Sequence, residues 1–258
     1  MIIKKDFLYP AANEMRRLHI YLPDSYNETE ERYPVMYFFD GHNLYTNEDA
    51  TYGKSWGLKD FLDNWQKDMI IVGIECGHGP GQRLGEYCPY TVDIGFMKGI
   101  TGIGHETFRW MIEEIKPMID KEYRTYDNRQ CTGVAGSSMG GLMALYGAVA
   151  YNQYFSKAAC VSSAIGICLS NLREDFKKYT VDSDTRVYLS WGTKEAWGVK
   201  NPDEEDTHSF TYKDNRYVGD VLEAQGATVE LDCQIGGGHC EADWEKLVPE
   251  FMDFLWMR

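Results

Sequence analysis

The sequence of 258 residues predicts an α/β fold, in which a mostly parallel central sheet is covered by helices on both faces. Short apolar runs typical of strands buried on both sides alternate along the chain with segments of helical periodicity. No Pro/Gly/Ser-rich linker, charge block or internal repeat divides the chain. We therefore expect a single domain over residues 1–258.

The predicted strands are of two kinds. Residues 17–22 alternate polar and apolar side chains, which indicates a half-buried and antiparallel strand. Residues 228–233 form the last alternating strand before a glycine-rich loop. The other strands are short apolar runs at residues 34–39, 69–74, 158–161 and 187–191.

Segments with apolar residues at helical spacing lie between these strands. The segments concerned are residues 108–115, 139–151, 171–179, 215–224 and 241–256. A strand followed by a helix and another strand is the unit from which parallel sheets are built. This alternation predicts that the carboxyl ends of several strands meet at one edge of the sheet, where a site can form.

Composition excludes some partners. A formal net charge of -14 argues against nucleic acid, because phosphate binding needs a basic surface. The start, MIIKKDFLYP, lacks the apolar core of a signal peptide, and no run has the length of a membrane span. The seven cysteines include no CxxC pair, which suits reduced thiols. We expect a cytoplasmic protein without membrane contact, and self-association is left open.

The segment GSSMG at residues 136–140 matches G-x-S-x-G. This pattern forms a sharp strand-to-helix turn that lifts a serine above the carboxyl edge of a sheet. Glycines two positions to either side avoid a collision between a β-carbon and the neighbouring backbone. The pattern predicts Ser138 as a nucleophile, with Ser137 as the filler position; the alternative is a glycine-rich turn with a capping serine.

A nucleophilic serine needs a general base and a carboxylate that orients it, in the chain order serine, acid, histidine. Two histidines follow Ser138, and we predict His239 as the base because it lies in the glycine-rich loop after the last strand. His208, in an acidic segment, is expected at a helix cap or in solvent. Glu195 follows a buried strand and is the predicted acid, with Asp203 and Asp206 as alternatives.

The oxyanion of the tetrahedral intermediate needs two backbone donors. The residue after the nucleophile supplies the first, so the sequence predicts the Met139 N–H. The loop after the third strand, DGHNL at residues 40–44, supplies the second, which we assign to the His42 N–H. The His42 side chain is expected to be structural or part of the pocket wall.

Four side chains near predicted loop ends are candidates for substrate binding: Trp56, Arg83, Tyr87 and Trp197. The aromatic rings suit a sugar or aryl group, although a chain with 18 tyrosines and 7 tryptophans also places such rings in its core. Arg83 with Glu86 either binds an anionic group or forms an ion pair that holds a loop. The histidines lack metal-ligand spacing, so we expect neither a metal nor a cofactor.

The spaced motifs together resemble a known family. They are DGHNLY (40–45), SW (55–56), RLGEY (83–87), EIKPMID followed by Tyr123, GSSMGGL (136–142), GTKE (192–195) and GGGHCEADW (236–244). This set is similar to the esterase family of α/β-hydrolases that includes enterochelin esterases, S-formylglutathione hydrolases, feruloyl and acetylxylan esterases, and mycolyltransferases. The resemblance runs from about the third strand to the C-terminus.

The resemblance implies an α/β-hydrolase fold, with Ser138, Glu195 and His239 at the triad positions and the amides of His42 and Met139 in the oxyanion hole. Many relatives have Asp at the position of Glu195, and the HGGG motif of lipases is absent. The expected activity is hydrolysis of a small-molecule ester, with an acetyl, feruloyl or siderophore-type acyl group, through an acyl-serine. An acyltransferase and a catalytically silent binding module remain alternatives.

Overall fold

The computed structural model describes all residues, Met1–Arg258. The chain forms two compact units, Met1–Gly133 and Val134–Arg258. Each unit contains strands, with helices in the connections between them. The single domain expected from the sequence stays a prediction.

The first unit contains four strands in the order β1-β2-β4-β3: β1 (Ile2–Tyr9), β2 (Glu14–Tyr21), β3 (Val35–Phe39) and β4 (Ile70–Ile74). β2 pairs antiparallel with both β1 and β4, as its alternating pattern predicts, whereas β3 and β4 are parallel. Every residue of β3 and β4 is buried, which explains their unbroken apolar composition. The helices of the first unit are α1 (Leu58–Asp63), α2 (Gln82–Glu86), α3 (Gly104–Trp110) and α4 (Lys116–Glu122).

A π-helical turn, Met111–Ile115, connects α3 to α4 without a loop. Pro117 lies in the first turn of α4 and has no N–H to donate to the carbonyl four residues earlier. The predicted helix at residues 108–115 is therefore part of a longer segment, Gly104–Glu122, whose hydrogen-bond pattern changes near the proline.

The second unit contains β5, which begins at the boundary, followed by β6, β7 and β8 in that spatial order. The strands are β5 (Thr132–Ser137), β6 (Lys157–Val161), β7 (Arg186–Gly192) and β8 (Thr228–Gln234). β6, β7 and β8 are parallel. The helices are α5 (Met139–Ala150), α6 (Ile165–Lys178), α7 (Phe210–Ala224), α8 (Glu241–Trp244) and α9 (Val248–Trp256).

Two further predicted helices also begin earlier than their apolar spacing indicated, and one is divided. α6 starts at Ile165, and α7 starts at Phe210, where the side chain of Ser209 accepts a hydrogen bond from the Tyr212 amide and caps the helix. The predicted helix at 241–256 consists of α8, a 3-10 turn and α9. None of the helices combines the length and the apolar composition that a membrane crossing requires.

Candidate active site

Ser138 occupies the turn between β5 and α5. Its backbone has φ 58° and ψ −120°, a conformation that residues with a side chain adopt rarely. The Ser138 amide donates to the Val161 carbonyl at 3.0 Å, which ties the turn to the neighbouring strand β6. Ser138 is partly exposed, whereas Ser137 is buried. The turn therefore leaves Ser138 accessible to solvent and buries Ser137.

Close backbone contacts at this turn require glycine. A β-carbon on Gly136 would lie 2.6 Å from the carbonyl carbon of Gly140, in the first turn of α5. A β-carbon on Gly141 would lie 2.9 Å from the Val161 carbonyl oxygen. Side chains at these positions would push α5 away from the strands, so the glycines permit the sharp turn that the G-x-S-x-G pattern predicted.

Glu195 and His239 meet in the second unit, beyond the ends of β7 and β8. The Nδ1 atom of His239 is hydrogen-bonded to Oε2 of Glu195. The Glu195 side chain is only 12 % exposed, whereas that of His239 is 46 % exposed. The imidazole is thus held on one side by a buried carboxylate and remains accessible on the other.

Two glycines bring these loops together. A β-carbon on Gly192 would lie 2.2 Å from the carbonyl oxygen of Gly237. The backbones of the loops after β7 and β8 are therefore in direct contact, which only glycine at position 192 permits. The same carbonyl accepts from the Lys194 amide at 2.9 Å, and the Thr193 amide donates to the Gln234 carbonyl at 3.1 Å. These contacts position the two segments that contain Glu195 and His239.

Ser162 and Trp244 extend this arrangement. Ser162, at the end of β6, donates its hydroxyl to Oε1 of Glu195 at 2.5 Å and accepts from Nε1 of Trp244 at 2.9 Å. The Trp244 ring packs edge-on against the His239 ring, with centroids 5.0 Å apart. Neither residue is among those predicted from the sequence. The available signal was the position of Ser162 directly after a predicted strand, which is also where Ser138 lies.

Glu195 is held in its charged form. Burial by itself would raise the pKa of Glu195, but hydrogen bonds with His239 and Ser162, assisted by the Gly192 amide, outweigh burial and lower the pKa below its ordinary value. Because an ionised carboxylate only accepts hydrogen bonds, Nδ1 of His239 must carry the proton in this contact. Nε2 of the neutral ring then has the free lone pair that a general base needs.

Ser138 and His239 are not joined by a hydrogen bond in this structure, although both follow strands of the same unit. Contacts of this kind are often long without substrate and tighten in the reacting complex. Asp203 and Asp206, the alternative acids, are not bonded to His239. The Asp206 carboxylate accepts from the amides of Lys200 and His208, so it stabilises its own loop.

The predicted oxyanion donors lie in different units. Met139 directly follows Ser138 and begins α5, where the first amides have no partner within the helix. His42 lies in the 3-10 turn Gly41–Asn43 after β3. A β-carbon on Gly41 would lie 2.4 Å from the carbonyl carbon of Gly73, so glycine lets this turn press against β4. Their joint role stays a prediction.

Arg83 and Tyr87 hold the residue before that turn. The guanidinium of Arg83 binds both carboxylate oxygens of Asp40, at 2.7 and 2.6 Å. The Tyr87 hydroxyl accepts from the Asp40 amide and donates to the Ile74 carbonyl, and its ring has no exposed surface. The Arg83–Glu86 ion pair, one of the two alternatives for these residues, is wrong: α2 directs Arg83 to Asp40, and Glu86 binds Arg16. Substrate contact by Arg83 or Tyr87 stays a prediction.

The two tryptophan candidates differ in exposure. Trp56 is buried and packs edge-on against Phe38, with ring centroids 6.1 Å apart. Trp197 is 63 % exposed and follows Glu195 by two positions along the chain. The exposed indole of Trp197, close along the chain to the candidate acid, is available to a ligand, whereas Trp56 lies in the core of the first unit.

One group of side chains in the first unit has the donors of a metal site, although the sequence analysis expected none. A ligand atom of each of His42, Glu75 and His78 lies within 4.8 Å of the others. Glu75 and His78 are three positions apart, whereas His42 lies much earlier in the chain, so no local motif marks the group.

Similarity to known proteins was assessed at the levels of sequence and structure. A family model described as "Putative esterase" matches residues 10–255. An uncharacterized protein of Bacillus subtilis is 24% identical over 227 residues, which span 84% of this chain and 82% of that protein. An esterase of Mycobacterium tuberculosis is 32% identical over 160 residues, 62% of this chain but 30% of that longer protein.

Solved esterase structures share the fold. An IroE-like serine hydrolase from Shewanella oneidensis matches with a TM-score of 0.73 and 19% identity, over 99% of this chain and 79% of that one. A ferulic acid esterase matches with a TM-score of 0.67 and 20% identity, over 99% of this chain and 97% of that one. The enterobactin esterase of Shigella flexneri matches with a TM-score of 0.71 and 18% identity, over 99% of this chain and 59% of that one. The predicted α/β-hydrolase fold is confirmed, and the chain belongs to the esterase family that the matching model describes.

Proposed function

We propose that the protein is a serine carboxylesterase that acts through an acyl-serine intermediate. The observation that carries this proposal is the contact between His239 Nδ1 and the buried, ionised Glu195. This contact leaves Nε2 as the basic atom of a partly exposed ring. Ser138 is presented in the same unit on a strained strand-to-helix turn, as in other nucleophile turns.

The proposed reaction has two halves. In the first, Nε2 of His239 removes the Ser138 proton while Oγ attacks the ester carbonyl, and the imidazolium then protonates the departing alcohol. In the second, the same nitrogen deprotonates water, which attacks the acyl-serine and releases the acid. Glu195 stabilises the imidazolium in both halves, and Ser162 and Trp244 hold the carboxylate and the ring in place.

We propose the Met139 amide as a donor to the oxyanion, and the role of the His42 amide stays a prediction. Met139 supplies the first amide of α5, at the positive end of the helix dipole. The turn that contains His42 is rigid because Arg83 and Tyr87 hold Asp40 and because Gly41 presses against Gly73. Preorganised donors of this kind stabilise the developing negative charge without moving during the reaction.

Esters of small or aromatic acids are the proposed substrates. Two structures that share the fold are described as a ferulic acid esterase and an enterobactin esterase. The exposed indole of Trp197, close along the chain to Glu195, offers an apolar surface on which an aromatic acyl group can stack.

A panel of acetyl, butyryl, feruloyl and trilactone siderophore esters tests the activity. We expect turnover of at least one ester by the wild type, and a loss of about 10⁴-fold in kcat for Ser138→Ala, since the attacking atom is removed. Ser137→Ala is the matched control, because its side chain is buried. An active-site phosphonate should label the peptide that contains Ser138.

Two results would contradict the proposal: near-normal activity of Ser138→Ala, and phosphonate labelling on another residue with loss of activity. Addition of an alcohol to the assay separates hydrolysis from transfer. If most acyl groups pass to the alcohol even when it is dilute, the protein is an acyltransferase of this fold. No turnover of any ester, together with no labelling, would indicate a binding protein.

A further inference from the structure

His42 is buried with one ring nitrogen unpartnered. The residue is only 6% exposed. Its Nε2 atom is hydrogen-bonded to Oγ1 of Thr51 at 2.9 Å, whereas its Nδ1 atom is buried and has no hydrogen-bond partner. A buried polar atom without a partner is costly and uncommon. Metal-binding histidines typically show this division, because one nitrogen is fixed by a hydrogen bond and the other binds the ion.

Glu75 and His78 have the spacing of ligands that share an ion. Oε2 of Glu75 lies 3.2 Å from Nε2 of His78. Two donors on one tetrahedral zinc ion lie about 3.3 Å apart, since each bond is about 2.0–2.1 Å long. The other oxygen of Glu75 is hydrogen-bonded to Nε2 of the buried His19 at 2.5 Å, which orients the carboxylate.

The two imidazoles also have a suitable separation and a path to solvent. The ring centroids of His42 and His78 are 4.9 Å apart, with the ring planes inclined by 72°. Imidazoles on a common zinc ion have centroids about 5 Å apart by the same bond lengths. The His78 side chain is 60% exposed, so an ion can reach the group from solvent.

The donor set indicates a class of ion. One carboxylate and two imidazoles are donors that suit zinc and its neighbours in the first transition row better than Mg²⁺ or Ca²⁺.

We propose that His42, Glu75 and His78 form a binding site for a divalent transition metal, with Zn²⁺ as the first candidate. Nδ1 of His42, a carboxylate oxygen of Glu75 and a ring nitrogen of His78 are the ligands, and water completes the coordination. Thr51 and His19 orient the ligands from outside. The ion links the turn after β3 to the segment after β4, and so holds the turn that presents the His42 amide.

Metal titration of the intact protein, after treatment with a chelator, tests the site. Zn²⁺ is followed by calorimetry and Co²⁺ by its visible absorption. We expect one ion per chain and a Co²⁺ spectrum without thiolate charge-transfer bands, because the ligands are nitrogen and oxygen. His78→Ala removes an exposed ligand and should weaken binding more than about 100-fold, whereas His19→Gln, outside the ligands, should weaken it about 10- to 100-fold.

Two matched controls exclude other sites. His208→Ala removes an exposed histidine that also lies beside a carboxylate, and Cys240→Ser removes an exposed thiol next to His239. Both variants should bind the ion within about twofold of wild type. The proposal is overturned if the wild type binds no ion, if His78→Ala binds as tightly as wild type, or if Cys240→Ser abolishes binding. These readouts do not depend on ester turnover.

Discussion

Two buried carboxylates follow strand ends in this protein, and they differ in their partners. Asp40, after β3, is 6% exposed, and Glu195, after β7, is 12% exposed. Asp40 binds the permanently charged guanidinium of Arg83 through both oxygens. Glu195 binds one nitrogen of the titratable and partly exposed His239, and a serine hydroxyl occupies its second oxygen.

The pKa of each carboxyl is below its ordinary value despite burial, because its partners outweigh the loss of solvent. The consequences nevertheless differ. Arg83 cannot exchange its proton near neutral pH, so the pair with Asp40 is a fixed bridge. His239 can accept and release a proton at Nε2 while Nδ1 stays bonded, so the pair with Glu195 can support catalysis. The partner, and not burial, distinguishes the two carboxylates.

Glu195→Gln breaks the pair that we propose for catalysis and should have the largest effect of the substitutions compared here. The amide keeps the size but loses the charge that stabilises the imidazolium, so kcat should fall by about 10²- to 10⁴-fold with little change in KM. Steady-state kinetics measures this. Asp203→Asn and Asp206→Asn are the controls and should stay within about threefold of wild type. Collapse of either control, with Glu195→Gln near wild type, would move the acid to that loop.

Arg83→Met breaks the fixed pair and should mainly reduce stability. Asp40 would be left buried without its counter-charge, and we expect the free energy of unfolding in urea to fall by about 3 kcal/mol, the low end for a broken buried pair because Arg83 is partly exposed. Arg17→Met is the control: its pair with Asp6 is exposed and screened by solvent, so the free energy of unfolding should change little. Unchanged stability with a large increase in KM would instead support substrate binding by Arg83.

Ser162→Ala sharpens the comparison, because it removes only one of the bonds that hold Glu195. The carboxylate would lose its serine donor, and the Trp244 indole would lose its acceptor. We expect kcat to fall about tenfold, which corresponds to about 1.4 kcal/mol, with the fold intact by circular dichroism. Ser163→Ala is a neighbouring control. A kcat equal to that of wild type would show that Ser162 does not position the acid.

The pH dependence of stability should show the smallest effect. Because the pKa of Glu195 is lowered in the folded state, this group stabilises the fold above the ordinary glutamate pKa of about 4.3, and the contribution is lost as pH falls through the folded pKa. The unfolding free energies of wild type and Glu195→Gln should therefore converge as the pH falls from the ordinary glutamate pKa through the lower pKa of the folded state. Urea unfolding from neutral to acidic pH measures the difference, and a constant difference would contradict the prediction.

Local patterns in the sequence determined much of the fold and the chemistry of the candidate site. The apolar runs of β3, β4, β6 and β7 predicted buried strands, because a strand that is covered on both faces of a sheet has apolar side chains on both sides. The glycines around Ser138 predicted the turn, because its close backbone contacts exclude a β-carbon at Gly136. β1 was missed, since the adjacent Lys4 and Lys5 and the following Asp6 resemble a solvated segment, and only Tyr9, at the end of the strand, is buried.

Only the tertiary structure decided which remote side chains meet. Arg83 binds Asp40 rather than the nearby Glu86, and Ser162 joins Glu195, because strand order and loop closure set these contacts. The same holds for His42, a ring nitrogen of which lies near the ligand atoms of Glu75 and His78 only after β3 and β4 have paired. Backbone conformation follows from residue type and near neighbours, whereas the partner of a buried charge depends on residues that folding brings together.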